Sequence, residues 1–189
     1  EEDQTDRIIE RSAPKRRESL ECDIQQATIK GEKWTILVGL LDGRPYEIIG
    51  GLAEFVEIPR KYDRGTIVKR PRKTKNSIYD LQFGENGDEV VIKDVVRVFD
   101  NPNHAGFTRT ISLALRHGVP IQYIVEQLQK DKDHDLFSFA RVTARVLKKY
   151  IADGTKPGKN TCPGCKAEDT LVYQEGCVTC TACGYGKCG

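Results

Sequence analysis

The chain has 189 residues, of which 38% are hydrophobic, enough for one domain of ordinary size plus an appendage. Its net charge of +2 argues against a large nucleic-acid-binding surface, which requires a clearly basic face. No apolar run approaches the roughly 18 residues of a membrane span, and no signal-peptide pattern opens the sequence, so we expect a soluble protein without a membrane partner. The sequence begins at Glu1 and contains no methionine, which fits a segment of a longer chain.

Residues 1–20 mix charges of both signs around one isoleucine pair and a proline, and they predict a linker or arm. We expect its basic run, Lys15 to Arg17, to be a solvated charge run. Residues 21–153 then form the predicted body. The lone cysteine of this body, Cys22, is interpreted as structural filler.

Alternating apolar residues in the first half of the body predict an antiparallel sheet. Glycine-containing turns divide the pattern into hairpins, with Asp42-Gly43 and Asn86-Gly87 as the clearest signals. The apolar run 94–99 is compatible with a further strand extension. The predicted strand segments are 23–29, 34–38, 46–49, 55–58, 66–68, 78–83 and 90–92.

The period then changes, and the second half of the body predicts three helices. Asn103 is the expected N-cap of the first, which ends at His117-Gly118. Val119-Pro120 opens the second, and residues 137–151 suit the third, which ends near Asp153-Gly154. The predicted fold class is therefore α+β, an antiparallel sheet with three helices followed by a small zinc ribbon, with residues 154–160 as a flexible hinge.

Two polar features of the body receive structural interpretations. The basic stretch 69–75 could meet a phosphate or an acidic partner, but a solvated hairpin tip is favoured. His104, His117 and His134 stand in predicted caps and breaks, without a helical partner for a metal site.

Six of the seven cysteines lie in the last 28 residues. The predicted ribbon that contains them is residues 161–189. Two Cys-x-x-Cys pairs, Cys162/Cys165 and Cys180/Cys183, are separated by 14 residues, a spacing typical of a tetrahedral zinc site built from two turns and a hairpin. Gly164 and Gly184 stand where such turns need a positive φ or close backbone approach. Iron is an alternative metal, because a four-sulfur site does not separate the two by geometry.

Four ligands leave two sulfurs over, and two partitions are open. In the favoured one, Cys162, Cys165, Cys180 and Cys183 bind the metal, and Cys177 and Cys188 form a spare dithiol. In the other, Cys177 replaces Cys183 as a ligand, which leaves Cys183 and Cys188. Gly184 favours the first, since it follows Cys183 as a knuckle glycine should. A dithiol on a chain end suits thiol exchange, and clustered Cys-x-x-Cys pairs indicate a reducing compartment, so we expect the cytoplasm.

Four segments carry a resemblance to a known family. They are WTILVGLLDGRPYEIIGG, ISLALRHGVPIQYIVEQLQK, DLFSFARVTARVLKKYI and the terminal CPGC with LVYQEGCVTCTACGYGKCG. In this order they resemble the C-terminal region of adenosylcobalamin-dependent (class II) ribonucleotide reductases, which make deoxyribonucleotides for DNA synthesis. The resemblance covers nearly the whole chain from residue 20, and the terminal block is its most specific part.

The resemblance implies a role in electron delivery. In that family an α/β barrel reduces the ribose, and cysteines near the C-terminus reduce the oxidised active site again. Cys177 and Cys188 take that role under the favoured partition, with zinc in this chain and adenosylcobalamin in the catalytic portion outside it. The implied partners are the catalytic barrel, on the same or a separate chain, and a thioredoxin-like reductant, and an oligomer is compatible with the body.

This sequence also departs from the family. Nothing in it resembles the barrel, a radical cysteine or a cobalamin site, so we expect a fragment or subunit that is not catalytically complete alone. A Thr-Ser-Cys-Pro-Asp motif of many relatives is absent, and Phe137-Ser138-Phe139-Ala140 stands at the corresponding helix start. The alternative function is a structural zinc-ribbon module that binds nucleic acid or a protein partner.

Overall fold

The structure is a computed structural model that describes residues 8–71, 77–130 and 138–188. Within these ranges the body contains six strands, which pair in the order β3-β2-β1-β4-β5-β6 once numbered along the chain. Every pairing is antiparallel, as the alternating pattern predicts. The strands are β1 (Ser19–Ile29), β2 (Glu32–Leu41), β3 (Arg44–Leu52), β4 (Arg64–Arg70), β5 (Ile78–Phe83) and β6 (Val90–Ile92).

Two-residue turns connect the first three strands. Lys30 and Gly31 have φ values of 52° and 85°, and Asp42 and Gly43 have φ values of 50° and 77°. Positive φ at both central residues is the hairpin turn whose twist matches that of the flanking strands. The hairpin predicted at Asp42-Gly43 is thereby confirmed.

Four helices occur in the described residues, one more than predicted, so the expected three-helix body is wrong in number. They are α1 (Val95–Val98), α2 (Pro102–Arg116), α3 (Ile121–Leu128) and α4 (Ser138–Leu147), the last followed by a 3-10 turn, Lys148–Tyr150. None of the helices described is long and apolar enough to cross a membrane.

The extra helix, α1, lies where the sequence is compatible with a strand extension. Val95 and Phe99 are both buried, at 0% and 3% exposure, and they are four residues apart. Residues four apart lie on one side of a helical turn. In a strand Arg97 would share their face, but Arg97 is exposed. The Asp94 N–H donates to Asp80 Oδ1 at 2.8 Å, which holds the start of the helix against β5.

Two further predictions at element boundaries are corrected. The first long helix has Asn101, not Asn103, as its N-cap, and Asn101 Oδ1 accepts the N–H groups of Asn103 and His104. Pro102 occupies the first helical position, where its missing N–H costs nothing. Residues 55–58 are not a strand. A 3-10 turn, Ala53–Phe55, is followed by a segment whose buried Val56 and Ile58 cover the sheet without pairing to it.

Strand β2, which lies between the edge strand β3 and β1, is buried on both faces. Trp34, Ile36 and Val38 face the core formed with α2, α3 and α4, whereas Leu37 faces the second core on the other side of the sheet. Further members of the first core are Ile111, Leu115, Val125, Val142 and Leu147, and members of the second are Ile24, Ile49, Ile67, Leu81 and Val95.

The described part of the N-terminal arm is attached to the body by a buried arginine. Arg16 and Glu47 side chains are only 6% and 2% exposed, and Arg16 donates to both carboxylate oxygens at 2.9 and 2.7 Å. Arg116 of α2 donates to the same carboxylate at 3.1 Å. The expectation of a solvated charge run is therefore wrong for Arg16. Its neighbour Arg17 does pair at the surface, with Asp42.

Removing the charge of Glu47 tests this arrangement. Glu47→Gln leaves Arg16 buried without its carboxylate, and we expect a loss of roughly 3 to 5 kcal/mol in the free energy of unfolding, measured by urea denaturation. Asp42→Asn, which breaks the exposed pair with Arg17, is the matched control and should cost less than about 1 kcal/mol. Equal losses in the two variants would contradict a stabilising role for the buried cluster.

The lone cysteine of the body should be chemically inert. Cys22 is 2% exposed, and burial, with the nearby carboxylates of Asp23 and Glu47, raises the pKa of its thiol to about 12. Since the thiolate is the reactive form, we expect no alkylation of Cys22 by iodoacetamide at pH 8 in the folded protein and full alkylation in urea. Peptide mass spectrometry distinguishes the two, and rapid labelling of the folded protein would contradict the prediction.

Candidate metal and thiol site

The terminal segment forms its own small antiparallel sheet. Its strands are β7 (Leu171–Gln174), β8 (Cys177–Cys180) and β9 (Gly186–Lys187), paired in that order. Glu175 and Gly176 connect the first two, with φ values of 50° and 75°, so this is again a two-residue hairpin. The hairpin predicted between the two cysteine pairs is present.

The first Cys-x-x-Cys turn precedes this sheet. The Cys162 carbonyl accepts the N–H of Lys166 at 2.9 Å, and the Cys162 N–H donates to the carbonyl of Ala167 at 2.9 Å. Lys166 has a φ of 62°, so it, rather than Gly164, takes the left-handed conformation in this turn. Of the two expectations for Gly164, the positive φ is therefore wrong, and a Cβ there would make an ordinary contact, 3.5 Å from Tyr185 Cβ.

The second Cys-x-x-Cys turn repeats the same hydrogen bonds. The Cys180 carbonyl accepts the N–H of Gly184 at 3.0 Å, and the Cys180 N–H donates to the carbonyl of Tyr185 at 2.7 Å. Gly184 has a φ of 73°, as expected for the glycine after a knuckle. Both turns direct their cysteine side chains to a common point.

The four sulfurs of these turns form one cluster. Cys162 Sγ lies 3.7 Å from Cys183 Sγ, Cys165 Sγ lies 3.8 Å from Cys180 Sγ, and all four lie within 4.8 Å of one another. Four thiolates about 2.3 Å from a tetrahedral zinc ion would be about 3.8 Å apart, so the donor set and spacing fit this ion. These four cysteines could therefore bind a metal such as zinc. Cys162 and Cys180 are buried, and their partners are exposed.

A threonine supports one of these sulfurs. Cys180 Sγ lies 3.3 Å from the Thr170 hydroxyl oxygen, and this hydrogen bond, with the backbone N–H groups that follow, lowers the pKa of Cys180 to about 6. Burial and the neighbouring cluster thiols raise the pKa of Cys183 to about 11, so the four thiols do not share one direction of shift, and the ligand role rests on the geometry of the cluster. Sequence spacing does not reveal Thr170, because it lies ten residues away on the other side of the hairpin.

The remaining two cysteines of the segment are joined to each other. Cys177 and Cys188 form a disulfide with a Cα–Cα distance of 4.6 Å. The register pairs Val178 with Lys187, so the two cysteines continue the β8–β9 ladder as opposed residues. Cys183 belongs to the four-sulfur cluster and not to a pair with Cys188. This arrangement corresponds to the first of the two partitions.

Strand β8 carries both functional groups. Cys177 is its first residue and Cys180 its last, so the disulfide and the four-cysteine cluster lie at opposite ends of one strand, about 10 Å apart along the chain. Cys177 is half-buried, and Cys188 is exposed. The disulfide is therefore accessible from the side of Cys188.

The segment from 154 to 160 holds the ribbon against the body at several points. Tyr173 of β7, 2% exposed, belongs to the main core, and its N–H and carbonyl bond to Thr155 and Gly154 at 2.8 Å each. The Gly158 N–H donates to Glu126 Oε1 at 2.8 Å. Burial, with the charge of Glu126, raises the pKa of Tyr173 to about 12, so its hydroxyl stays neutral. The sequence pattern predicts the strand but not this packing.

The two described histidines contact aromatic rings or the backbone. His104 packs against the rings of Trp34 and Phe139, and burial lowers its pKa. His117 Nδ1 lies 2.5 Å from the carbonyl of Arg11, and His134 lies outside the described residues. In the described ranges the four-cysteine group is the one cluster of metal-ligating side chains found.

The basic stretch 69–75, interpreted as a solvated hairpin tip with partner binding as the alternative, is described only in part. Arg70 is paired with the buried Asp80, and residues 72–76 lie outside the described ranges. The pairing of Arg70 removes one of the cations on which the nucleic-acid alternative depends.

Comparison with known proteins identifies the body. The family model described as the NrdJ homologue C-terminal domain matches residues 20–152, well over half of the chain. No curated protein and no solved structure matches it. The matched range includes the six strands of the large sheet, except for the first residue of β1, and the four described helices. It ends before the cysteine-rich segment. The chain belongs to the family of NrdJ homologue C-terminal domains and is thereby related to the class II ribonucleotide reductase NrdJ.

Proposed function

We propose that this chain is the electron-delivery part of a class II ribonucleotide reductase, either the C-terminal portion of a longer enzyme or a small subunit. The single observation that carries the proposal is the Cys177–Cys188 pair, which lies apart from the metal cluster and is accessible at Cys188. The four sulfurs of the cluster are sufficient for a closed metal site, so this pair is not needed as a ligand. The family relation supports the reductase context.

The proposed chemistry is thiol–disulfide exchange. In the reduced tail, the Cys188 thiolate attacks one sulfur of the disulfide formed in the catalytic barrel, and the other barrel sulfur leaves as a thiolate. The Cys177 thiolate then attacks Cys188 Sγ, which closes the tail disulfide and releases the second barrel thiolate. Two electrons pass inward, and both released thiolates take up protons from water. A thioredoxin-like dithiol reduces the tail again.

The metal has a structural role in this proposal. Zinc bound by Cys162, Cys165, Cys180 and Cys183 would hold β8 in place, and it would not take part in the exchange. Adenosylcobalamin, the cofactor of the radical step, would belong to the catalytic portion outside this chain. The proposed compartment is the cytoplasm, where thiols are kept reduced.

Metal content tests the structural half of the proposal. We expect about one zinc per chain by atomic emission, lost on Cys165→Ser because a closed site needs four ligands. Cys22→Ser is the matched control and should retain the metal, since Cys22 lies in the other core. Removal of zinc by a chelator should also lower the unfolding temperature, because Tyr173 links the ribbon to the main core. Iron in place of zinc would contradict the assignment.

Turnover tests the redox half. With the catalytic portion present, Cys177→Ser and Cys188→Ser should retain zinc and abolish reduction of ribonucleotides driven by a thioredoxin-like protein. A small dithiol that enters the active site directly should restore activity, because it bypasses the tail. Cys22→Ser should behave as wild type. Full protein-driven turnover in Cys188→Ser would refute the relay, whatever the metal content.

A further inference from the structure

A cleft lined by cations lies beside the part of β1 that extends beyond its pairing with β4. Pairing between β1 and β4 ends at Asp23 opposite Arg64, whereas β1 continues to Ile29. The Ile24 N–H still bonds to the carbonyl of Asp63 at 2.7 Å. Alternation along an antiparallel strand directs the N–H groups of Gln26 and Thr28 to the same side, beyond the last residue paired with β4. The Gln26 side-chain amide donates to the carbonyl of Ile58 at 2.7 Å, so the segment before β4 also contacts this edge.

A cleft of about 520 Å³ lies along this edge, in the size range of small-molecule sites. Its charged lining residues are all cations: Arg60 from the loop before β4, and Arg145 and Lys149 from α4 and the turn that follows it. Tyr62 adds an aromatic ring, and the remaining lining is apolar or neutral, from Ile24, Gln26, Ala27, Thr28 and Val146.

These cations lack acidic partners in residues 8–71, 77–130 and 138–188. No ion pair there involves Arg60 or Arg145, and Lys149 Nζ donates to the neutral amide of Gln25 at 2.6 Å. The nearby Asp23 carboxylate accepts the Tyr150 hydroxyl at 2.6 Å and faces Arg64 at 4.0 Å, and Asp63 is exposed in the adjoining loop. Neither carboxylate lines the cleft.

Arg145 and Lys149 lie four positions apart, so their like charges repel each other weakly, and an anion between them would relieve this repulsion. A third cation from a separate segment and outward backbone N–H groups add to the same side. Guanidinium groups and backbone N–H groups are the donors that bind phosphate oxygens.

We propose that this cleft, formed by Arg60, Arg145, Lys149 and the part of β1 beyond its pairing with β4, binds an oligophosphate group. The ligand class is a chain of two or three phosphates, either bare or carried by a nucleoside whose base contacts Tyr62. The site is separate from the cysteine cluster and does not depend on the proposed electron relay.

The test is a titration of the full chain with tripolyphosphate at constant ionic strength, followed by amide resonances. Binding should shift the resonances of Gln26 and Thr28, and calorimetry gives the affinity. Arg145→Gln with Lys149→Gln should weaken binding by about tenfold for each cation removed, because each contributes a charge-assisted hydrogen bond. Arg44→Gln, at the exposed β2–β3 turn at the other end of these strands, is the matched control.

A nucleoside triphosphate arm identifies the source of the phosphates. Tighter binding than tripolyphosphate, with shifts of the Tyr62 ring, supports a nucleotide, and equal affinity supports a bare oligophosphate. The loop variant Arg60→Gln gives the same readout if the double variant fails to fold. Absence of binding, equal weakening by Arg44→Gln, or selective binding of a poly-glutamate peptide instead would overturn the proposal.

Discussion

The architecture depends on the burial of β2 on both faces. Ile36 and Leu37 are each 0% exposed although they are neighbours, so each belongs to a different core. A strand of this kind needs a layer on either side: α2, α3 and α4 supply one, and α1 with the segment after β3 supplies the other. The terminal ribbon joins the first layer through Tyr173, so the cysteine site is attached to the same core.

One charged group is part of this apolar arrangement. Glu47, on the edge strand β3, is 2% exposed, and the backbone of Gly39 makes room for it: a Cβ at Gly39 would lie 2.7 Å from Glu47 Cγ. Isolated burial of a carboxylate is costly, and here two arginines offset that cost. Because Arg16 comes from outside the sheet, the cluster determines where the N-terminal arm enters the body.

Sequence reasoning succeeded where the signal is local. Asp42-Gly43 predicts its hairpin because two residues determine the turn, and the Cys-x-x-Cys spacing predicts which sulfurs can meet. It failed where contacts are distant. Nothing near Arg16 in the sequence reveals a partner 31 residues away, and α1 is too short for a helical period to show. The glycine in the first Cys-x-x-Cys turn also gave a wrong prediction, because Lys166 and not Gly164 has the positive φ.

The packing of the ribbon on the body also determines where Cys177 and Cys188 lie. Cys177 begins β8 next to Gly176, where a Cβ would lie 3.2 Å from the Lys148 carbonyl oxygen, so this end of the strand is packed closely on the body. Its other end, at Cys180, belongs to the four-cysteine cluster. Cys188, by contrast, follows a two-residue strand and is tied to the rest by its bond to Cys177. In the proposed relay, reduction would therefore release one sulfur and leave the other fixed, which is the division that attack and resolution require.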